Sequence, residues 1–246
     1  DRIVGSVGTP LVFWLLIGSG LGSSFRSGAA QGGMHYMEYL FPGTLMLMVL
    51  FTAIFSTISV IEDRKEGFLQ GVLVSPASRA SIVLGKIMGG VTLGLFQGAV
   101  VLALFPLSGI RVSLVGFVAA LCVLALAAFA LTGLGFALAW HMESTQGFPA
   151  VMNLFLMPLW LLSGAAFPTA GADSWIRAAM GLNPLSYATA ALRRALYYGA
   201  SGGASDTSAV AGLPPFWFSV AIMLAFSIVM FAACTAAVLR QRAPKE

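Results

Sequence analysis

Five consecutive charged residues, Glu62 to Glu66, form the densest polar cluster in this apolar chain of 246 residues. The run GFLQGVLV follows, and the chain then reaches Ser75 and Pro76, where proline cannot continue a helix. This pattern predicts a short amphipathic helix at about 66–75, whose chemistry is binding rather than catalysis. Such a helix rests on lipid at the membrane interface or docks a partner protein, and the pattern leaves both interpretations open. Its four apolar side chains fall on one helical face, at positions i, i+1, i+4 and i+5: Phe68, Leu69, Val72 and Leu73.

Catalytic and metal-binding motifs find little support in the sequence. There is no GxxxxGK[ST] motif, so we expect no ATP bound through a P-loop on this chain. Ser19 and Ser163 are conceivable nucleophiles within apolar segments, but neither has a histidine base at a matching depth. His141 and Glu143 share a short loop and are better explained as solvated residues. We therefore predict that the chain is not itself an enzyme and holds no cofactor, metal or nucleic acid.

The composition predicts a membrane protein. Hydrophobic residues make up 59% of the chain and charged residues only 9%, whereas about a quarter of the residues of a soluble domain are charged. Six stretches of at least 23 residues contain no Asp, Glu, Lys or Arg, and roughly 20 apolar residues suffice for a helix to cross a bilayer. We predict an all-α membrane fold in a single domain, 1–246, with six spans at approximately 9–24, 38–61, 82–105, 114–139, 148–167 and 215–239.

The distribution of Lys and Arg predicts the orientation of these spans. With six spans both termini lie on one side, and eight of the 13 basic residues lie on that side if the termini are inside. Because inner loops are enriched in Lys and Arg, we expect the termini and the segment 62–80 to face the cytoplasm. No charged residue lies deep within a span, which argues against an ion-coupled transporter. Any energy for transport is therefore expected to come from a partner.

The connections and small residues complete the sequence-based fold. Ser78 is expected to cap the helix that becomes the third span. Within that span, glycines recur every fourth residue, at Gly90, Gly94 and Gly98. This glycine ladder predicts close packing against another helix. The long connection between spans five and six is predicted to form two short helices at the outer leaflet, at approximately 173–199. Asn183 and Pro184 begin the second of them, since proline is tolerated at the first helical position.

Three blocks of this sequence resemble the ABC-2 type permeases, the membrane subunits of bacterial ABC exporters of drugs, polysaccharides and lipo-oligosaccharides. The first block comprises EDRKEGFL at 62–69, VSPASR at 74–79 and LGK at 84–86. The second is LSGAAFP at 162–168, and the third is LNPLSY at 182–187, followed by Arg193. They occur in the expected order relative to the six spans, and the resemblance covers nearly the whole chain.

The resemblance implies a permease of an inner-membrane exporter that pairs with a second permease copy and binds two cytoplasmic ATPase subunits. ATP and magnesium would be bound by those partners, and membrane lipids would surround the permease. The helix at 66–75 would be the coupling helix, which the ATPase moves as a lever. The residues implied in ATPase docking are Glu62, Asp63, Arg64, Glu66, Gly67, Phe68, Leu69, Val72, Leu73, Ser75 and Pro76.

The resemblance also implies a substrate path along spans two and five, for a hydrophobic or amphiphilic substrate. Its candidate residues are Met48, Phe51, Phe55, Asn153, Met157 and Trp160, with Asn153 favoured because an amide within lipid needs a partner or a purpose. The outer-helix residues implied are Asn183, Pro184, Tyr187 and Arg193. A membrane scaffold or sensor that couples to an ATPase without translocation remains an alternative function.

Overall fold

The computed structural model of the chain describes residues 36–67, 78–108, 112–167, 172–198 and 212–240, together with a few single positions outside these ranges. Nine helices and no strand occur among the described residues. We number them α1 to α9 in chain order: Tyr36–Ser56, Ile58–Lys65, Arg79–Leu102, Phe105–Ser108, Leu114–His141, Gly147–Leu161, Ser174–Leu182, Pro184–Leu196 and Phe216–Arg240. The predicted all-helical architecture is thus observed throughout the described part of the chain.

Four helical segments in the described residues are long and apolar enough to cross a membrane: Tyr36–Lys65, Arg79–Leu102, Leu114–His141 and Phe216–Arg240. They correspond to predicted spans two, three, four and six. The predicted first span, 9–24, lies largely outside the described residues, although Trp14, Leu15 and Leu16 are helical. The described structure therefore contains four full-length spans of the six that were predicted.

The predicted fifth span is shorter than expected. We predicted a helix over 148–167, but α6 has 15 residues and ends at Leu161. At 1.5 Å per residue it is about 22 Å long, less than the roughly 30 Å hydrocarbon core. Directly after the helix, the carbonyl of Leu162 accepts a 3.0 Å hydrogen bond from Ser186 Oγ. Polar side chains of α8 thus satisfy the backbone where the helix stops.

Three helices begin with the polar side chains that favour helix N-termini. The Ser78 hydroxyl accepts a hydrogen bond from the Ser81 N–H at 3.1 Å, which confirms it as the cap of α3. Ser113 caps α5 in the same way. Asn183 caps α8, and Pro184 occupies its first helical position as predicted. Local sequence therefore determines where these helices start.

The core forms around α5, which packs against α1, α3, α8 and α9. Glycines of α3 allow that close approach. A Cβ atom at Gly90 would lie 2.6 Å from the side chains of Ser56 in α1 and Thr132 in α5. One at Gly94 would lie 3.3 Å from the Ala128 Cβ atom. The predicted glycine ladder therefore packs three helices of one chain together.

The two short helices of the long connection have different environments. In α7 only Met180 is buried, and Leu182 is 86% exposed. By contrast, α8 is buried along most of its length and packs against α1, α5 and α9. We call the end of the bundle that carries Tyr39, Trp160 and Arg193 the Tyr39 end, and the opposite end, with Arg64, Lys86 and Trp140, the Arg64 end.

Candidate functional site

The charged cluster forms the end of a helix rather than a loop after one. We predicted that span two ends at Ile61, but α2 continues to Lys65. The Glu66 N–H donates to the Glu62 carbonyl, and Gly67 then adopts a left-handed conformation with φ of 76°. Glycine favours this conformation just past a helix C-terminus. Glu66 and Gly67, which were assigned to the coupling helix, therefore terminate α2.

Asp63 joins α2 to α3 through an ion pair with the Lys86 ammonium group. Lys86 Nζ also lies 3.4 Å from Ser59 Oγ, one helical turn before Asp63. The two charged side chains are 19% and 29% exposed respectively, so solvent screens the pair only in part. A pair of this kind contributes up to about 1 kcal/mol. Its main effect is to fix the position of α2 against the first turns of α3.

Arg64 joins α2 to α5 on another side. Its guanidinium donates two hydrogen bonds, from Nη1 to the Trp140 carbonyl and from Nη2 to the Met142 carbonyl. These carbonyls lie at the C-terminus of α5, where a helix lacks internal donors and its dipole favours a cation. Arg64 therefore acts as a cap supplied by another helix. Together, Asp63 and Arg64 brace α2 between two spans.

The remaining charges of the cluster are available at the surface. Glu62, Lys65 and Glu66 are all exposed. Glu62 borders an open groove of about 330 Å³ between α2 and α3, which Lys86 and Gly89 also line. Exposed charges of both signs at the end of a braced helix can orient a protein partner. The docking set predicted from the sequence thus divides into bracing and exposed residues.

The predicted apolar contact residues cannot be placed in this geometry. Phe68, Leu69, Val72, Leu73, Ser75 and Pro76 lie outside the described residues, although Gly71 is helical. The segment leaves α2 at Gly67 and returns at Ser78, directly before α3. Its amphipathic helix therefore stays a prediction.

The predicted substrate-path residues do not form one surface within the chain. Met48 and Trp160 are buried in the core, at 1% and 2% exposure. Trp160 Nε1 donates to the Gly43 carbonyl at 2.8 Å, which places it in a helix contact. The Phe51 and Phe55 rings are half-buried and meet edge to face, with centroids 5.5 Å apart. Asn153 and Met157 lie on the exposed face of α6.

Sequence reasoning missed Gln97, a polar residue within an apolar span. Gln97 is 5% exposed, and its Oε1 accepts a 2.6 Å hydrogen bond from the Thr52 hydroxyl across α1 and α3. A buried amide in a span is usually paired in this way. A second missed contact, between Asp63 and Lys86, had a detectable signal. Both residues lie near the same end of consecutive antiparallel spans, and Lys86 is the one lysine of the third.

The outer-helix residues form a network at the Tyr39 end. Asn183 Nδ2 donates to the Leu159 carbonyl at 2.7 Å, and its Oδ1 accepts from the Leu185 N–H at 2.9 Å. The Tyr187 hydroxyl donates to the Gly181 carbonyl at 2.8 Å. These bonds attach α8 to the last turn of α6 and to α7. The second and third sequence blocks meet through the hydrogen bond from Ser186 Oγ to the Leu162 carbonyl.

Arg193 is the most deeply buried part of this network, at 3% exposure. Its Nη2 donates to the Tyr39 carbonyl at 3.2 Å and to the Gly164 carbonyl at 3.4 Å. The guanidinium carbon lies 4.0 Å from the centre of the Tyr39 ring, within the range of a cation–π interaction. The Tyr39 hydroxyl donates to the Gly164 carbonyl as well. Arg193 thus fastens α8 to α1 and to the chain after α6.

The described residues offer no evident catalytic or metal centre. No group of three or more His, Cys, Asp or Glu side chains among them could hold a metal ion. Ser163 Oγ donates to the Trp160 carbonyl at 2.6 Å, and His141 lies at the other end of the bundle.

Comparison with known proteins identifies the family. The protein-family model described as ABC-2 type transporter matches residues 2–197 of this chain. The chain is 24% identical over 226 residues to Nodulation protein J of Sinorhizobium fredii, covering 90% of this chain and 85% of that protein. It is 26% identical over 195 residues to the inner membrane transport permease YadH of Escherichia coli K12, covering 78% and 74%.

A third relative is longer than this chain. The chain is 26% identical over 161 residues to the probable multidrug ABC transporter permease YbhR of Escherichia coli K12, which covers 63% of this chain and 43% of YbhR. The matched region thus spans less than half of that relative. Because the family model covers most of this chain, the chain belongs to the ABC-2 type transporter family.

Proposed function

We propose that this chain is the permease subunit of an ATP-driven ABC exporter. It moves a hydrophobic or amphiphilic substrate, such as a drug, a lipid or a lipid-linked glycan, out of the cytoplasm or the inner leaflet. It lies in the bacterial inner membrane with both termini and the Arg64 end in the cytoplasm. The family match supports this proposal, as do the names of its relatives, among them a probable multidrug permease and an inner membrane transport permease.

The single observation that carries the proposal is the bracing of α2. Asp63 is paired with Lys86 of α3, and Arg64 caps α5. A displacement of α2 therefore acts on two spans at once, whereas a flexible loop would absorb it. Rigid elements that shift against one another are a common basis of conformational change in proteins. This arrangement is what a permease driven from its cytoplasmic side requires.

The proposed partners are two copies of a cytoplasmic ABC ATPase, which bind ATP and magnesium, and a second copy of the permease. The proposed coupling helix follows Gly67, within 68–75, and enters a groove of the ATPase. The exposed Glu62 and Glu66 orient that contact, while Phe68 and Leu69 supply its apolar surface. ATP-driven closure of the ATPases then pushes on α2.

The substrate path is proposed to lie between two permease copies. The exposed face of α6 supports this, because Asn153 and Met157 are accessible there. Met48 and Trp160 are packed inside the subunit and position the helices rather than contact substrate. Apolar, methionine-containing walls suit amphiphilic substrates of varied shape.

Replacing both Phe68 and Leu69 by Asp tests the coupling helix. We expect this variant to lose association with the proposed ATPase partner, and with it substrate-stimulated ATP hydrolysis in proteoliposomes. The matched control replaces Trp175 and Leu182 of α7 by Asp, since both are exposed at the opposite end. Unchanged assembly and hydrolysis in the Phe68 and Leu69 variant would refute the coupling helix.

A transport assay distinguishes the proposed exporter from the alternative, a membrane scaffold or sensor. Reconstituted complex should move labelled lipid, glycan or hydrophobic drug with ATP and not with a non-hydrolysable analogue. An ATPase that binds and hydrolyses normally while no class of substrate moves would favour the scaffold or sensor.

A further inference from the structure

A second open cleft lies at the Arg64 end, on the side of α2 that faces away from Lys86. Its volume is about 610 Å³, and it is bounded by α2, the end of α5 and the end of α9. Three basic side chains line it, Arg64, His141 and Arg240, beside Trp140 and the alanines of α9 from Ala233 to Ala237. The mechanism proposed above uses Arg64 only as a brace and gives the cleft no role.

The charges around α2 are segregated between its two sides. Asp63 pairs with Lys86, and Glu62 borders the groove toward α3. No carboxylate of the described residues lines the cleft toward α5 and α9. Its two arginines therefore share the site without a compensating anion. Cations brought together in this way repel one another, and a bound anion relieves that repulsion.

The cleft presents hydrogen-bond donors that suit an oxyanion such as phosphate. Arg64 is held in place by two carbonyls, which occupy two of its five N–H donors and leave three for a ligand. The Arg240 guanidinium is exposed and has no hydrogen-bond or ion-pair partner among the described residues. His141 contacts the Ala137 carbonyl through Nδ1, which leaves Nε2 for another partner. Arginine recognises phosphate through paired donors of this kind.

The surroundings select a phosphate that carries an apolar tail. The cleft lies where the apolar helices α5 and α9 end, and both are long enough to cross a membrane. The ends of helices of this length reach the lipid headgroups. Its alanine wall runs back along α9 from Arg240, through Ala237 and Ala236 to Ala233, into the apolar part of that helix. Tryptophan, here Trp140, favours the same interface. Basic pockets between spans on the cytoplasmic side are suited to anionic headgroups.

We propose that this cleft binds the phosphate of an anionic phospholipid, with Arg64 and Arg240 as its principal donors. The headgroup lies between α2 and α9, and an acyl chain runs along the alanine face of α9. The lipid thereby links the end of α9 to the braced α2 through charge rather than through a direct protein contact. Lipid composition becomes a means of adjusting the position of α2.

Lipid retention by the purified full-length permease, with any subunit that copurifies, tests this proposal. Native mass spectrometry would compare dioleoyl phosphatidylglycerol with dioleoyl phosphatidylcholine, which has the same acyl chains and no net charge. We expect preferential retention of phosphatidylglycerol, and an apparent affinity lowered about fivefold in Arg240→Gln, since each basic residue near an anionic lipid contributes about 1 kcal/mol. Arg240 is chosen because its guanidinium supports no other described contact.

Lys65→Gln is the matched control, since it removes one exposed positive charge near the same end and does not line the cleft. Its phosphatidylglycerol affinity should stay within about twofold of the unmodified protein. Equal affinity in Arg240→Gln and the unmodified protein would overturn the site, as would equal retention of the two lipids. Displacement of phosphatidylglycerol by millimolar inorganic phosphate would show a free-anion site and overturn the lipid assignment.

Discussion

The two ends of the bundle hold their helices together differently. At the Tyr39 end, Asn183, Trp160 and Arg193 donate to backbone carbonyls, and Arg193 is almost fully buried. At the Arg64 end, a partly exposed ion pair joins two side chains, and open clefts lie on both sides of α2. Buried bonds to backbone allow little adjustment, whereas exposed charges can exchange partners. The Tyr39 end therefore anchors the helices in fixed positions, whereas the contacts between helices at the Arg64 end can change.

Removing Arg193 should have the largest effect on stability. Arg193→Met leaves the buried carbonyls of Tyr39 and Gly164 with fewer donors, and we expect a loss of about 2–3 kcal/mol in the free energy of unfolding. Thermal unfolding in detergent, followed by tryptophan fluorescence, measures this loss. Arg177→Met, on exposed α7, is the control and should change stability by less than about 0.5 kcal/mol. Equal effects of the two would mean that the Tyr39 end is not an anchor.

Trp160→Phe should have the next largest effect. It removes the 2.8 Å hydrogen bond to the Gly43 carbonyl but keeps an aromatic ring in the core. We expect a loss of about 1 kcal/mol, because one buried hydrogen bond is lost while the Gly43 carbonyl keeps its bond within α1. The same unfolding assay with Trp217→Phe, which alters a ring that is 78% exposed, provides the comparison. A larger effect at position 217 would contradict this account.

Breaking the ion pair should change function more than stability. Asp63→Lys should lower the free energy of unfolding by about 1 kcal/mol and should reduce ATPase stimulation several-fold, because α2 loses its brace to α3. The double variant Asp63→Lys with Lys86→Asp restores opposite charges and should recover at least half of each loss. If the double variant recovers nothing, the pair does not brace α2.

Neutralising the exposed Glu66 should have the smallest effect on the fold. Glu66→Gln should leave stability within about 0.5 kcal/mol. It should slow association with the ATPase, and low salt should enlarge the difference from the unmodified protein because exposed charges are screened by salt. Surface-bound permease and soluble ATPase allow this rate to be measured. Glu143→Gln, an exposed carboxylate in another loop, should associate at the unmodified rate.

The membrane spans could be predicted from the sequence where local residues mark their ends. Helices near 114–139 and 215–239 were predicted within a few residues because uncharged stretches define them, and the helix near 82–105 because Ser78 marks its start. The cap at Ser78 and the start of α8 at Asn183 and Pro184 were predictable because local chemistry determines them. The extension of α2 beyond Ile61 could not be predicted from the sequence. Its charged residues Asp63 and Arg64 find their partners in Lys86 and in carbonyls of α5. Those partners are distant in sequence.

Sequence alone did not distinguish buried from exposed positions on the apolar helices. Met48 and Trp160 were predicted as path residues and are packed in the core, whereas Gln97 was overlooked and is buried and bonded to Thr52. An apolar span carries little periodicity to separate lipid-facing from packed positions. Arg193 was identified, but its partner Tyr39 lies 154 residues away in the sequence. Only the folded chain brings them together.

The bracing of α2 also has an entropic consequence for the segment 68–77. Gly67 and Ser78, which flank this segment, belong to helix ends that Asp63 and Lys86 hold together. The conformational entropy of bringing the two ends of a loop together depends on its length and is lost on closure. Here folding of the bundle has already removed that freedom. A partner that docks here therefore spends none of its binding free energy on bringing the two ends of the segment together.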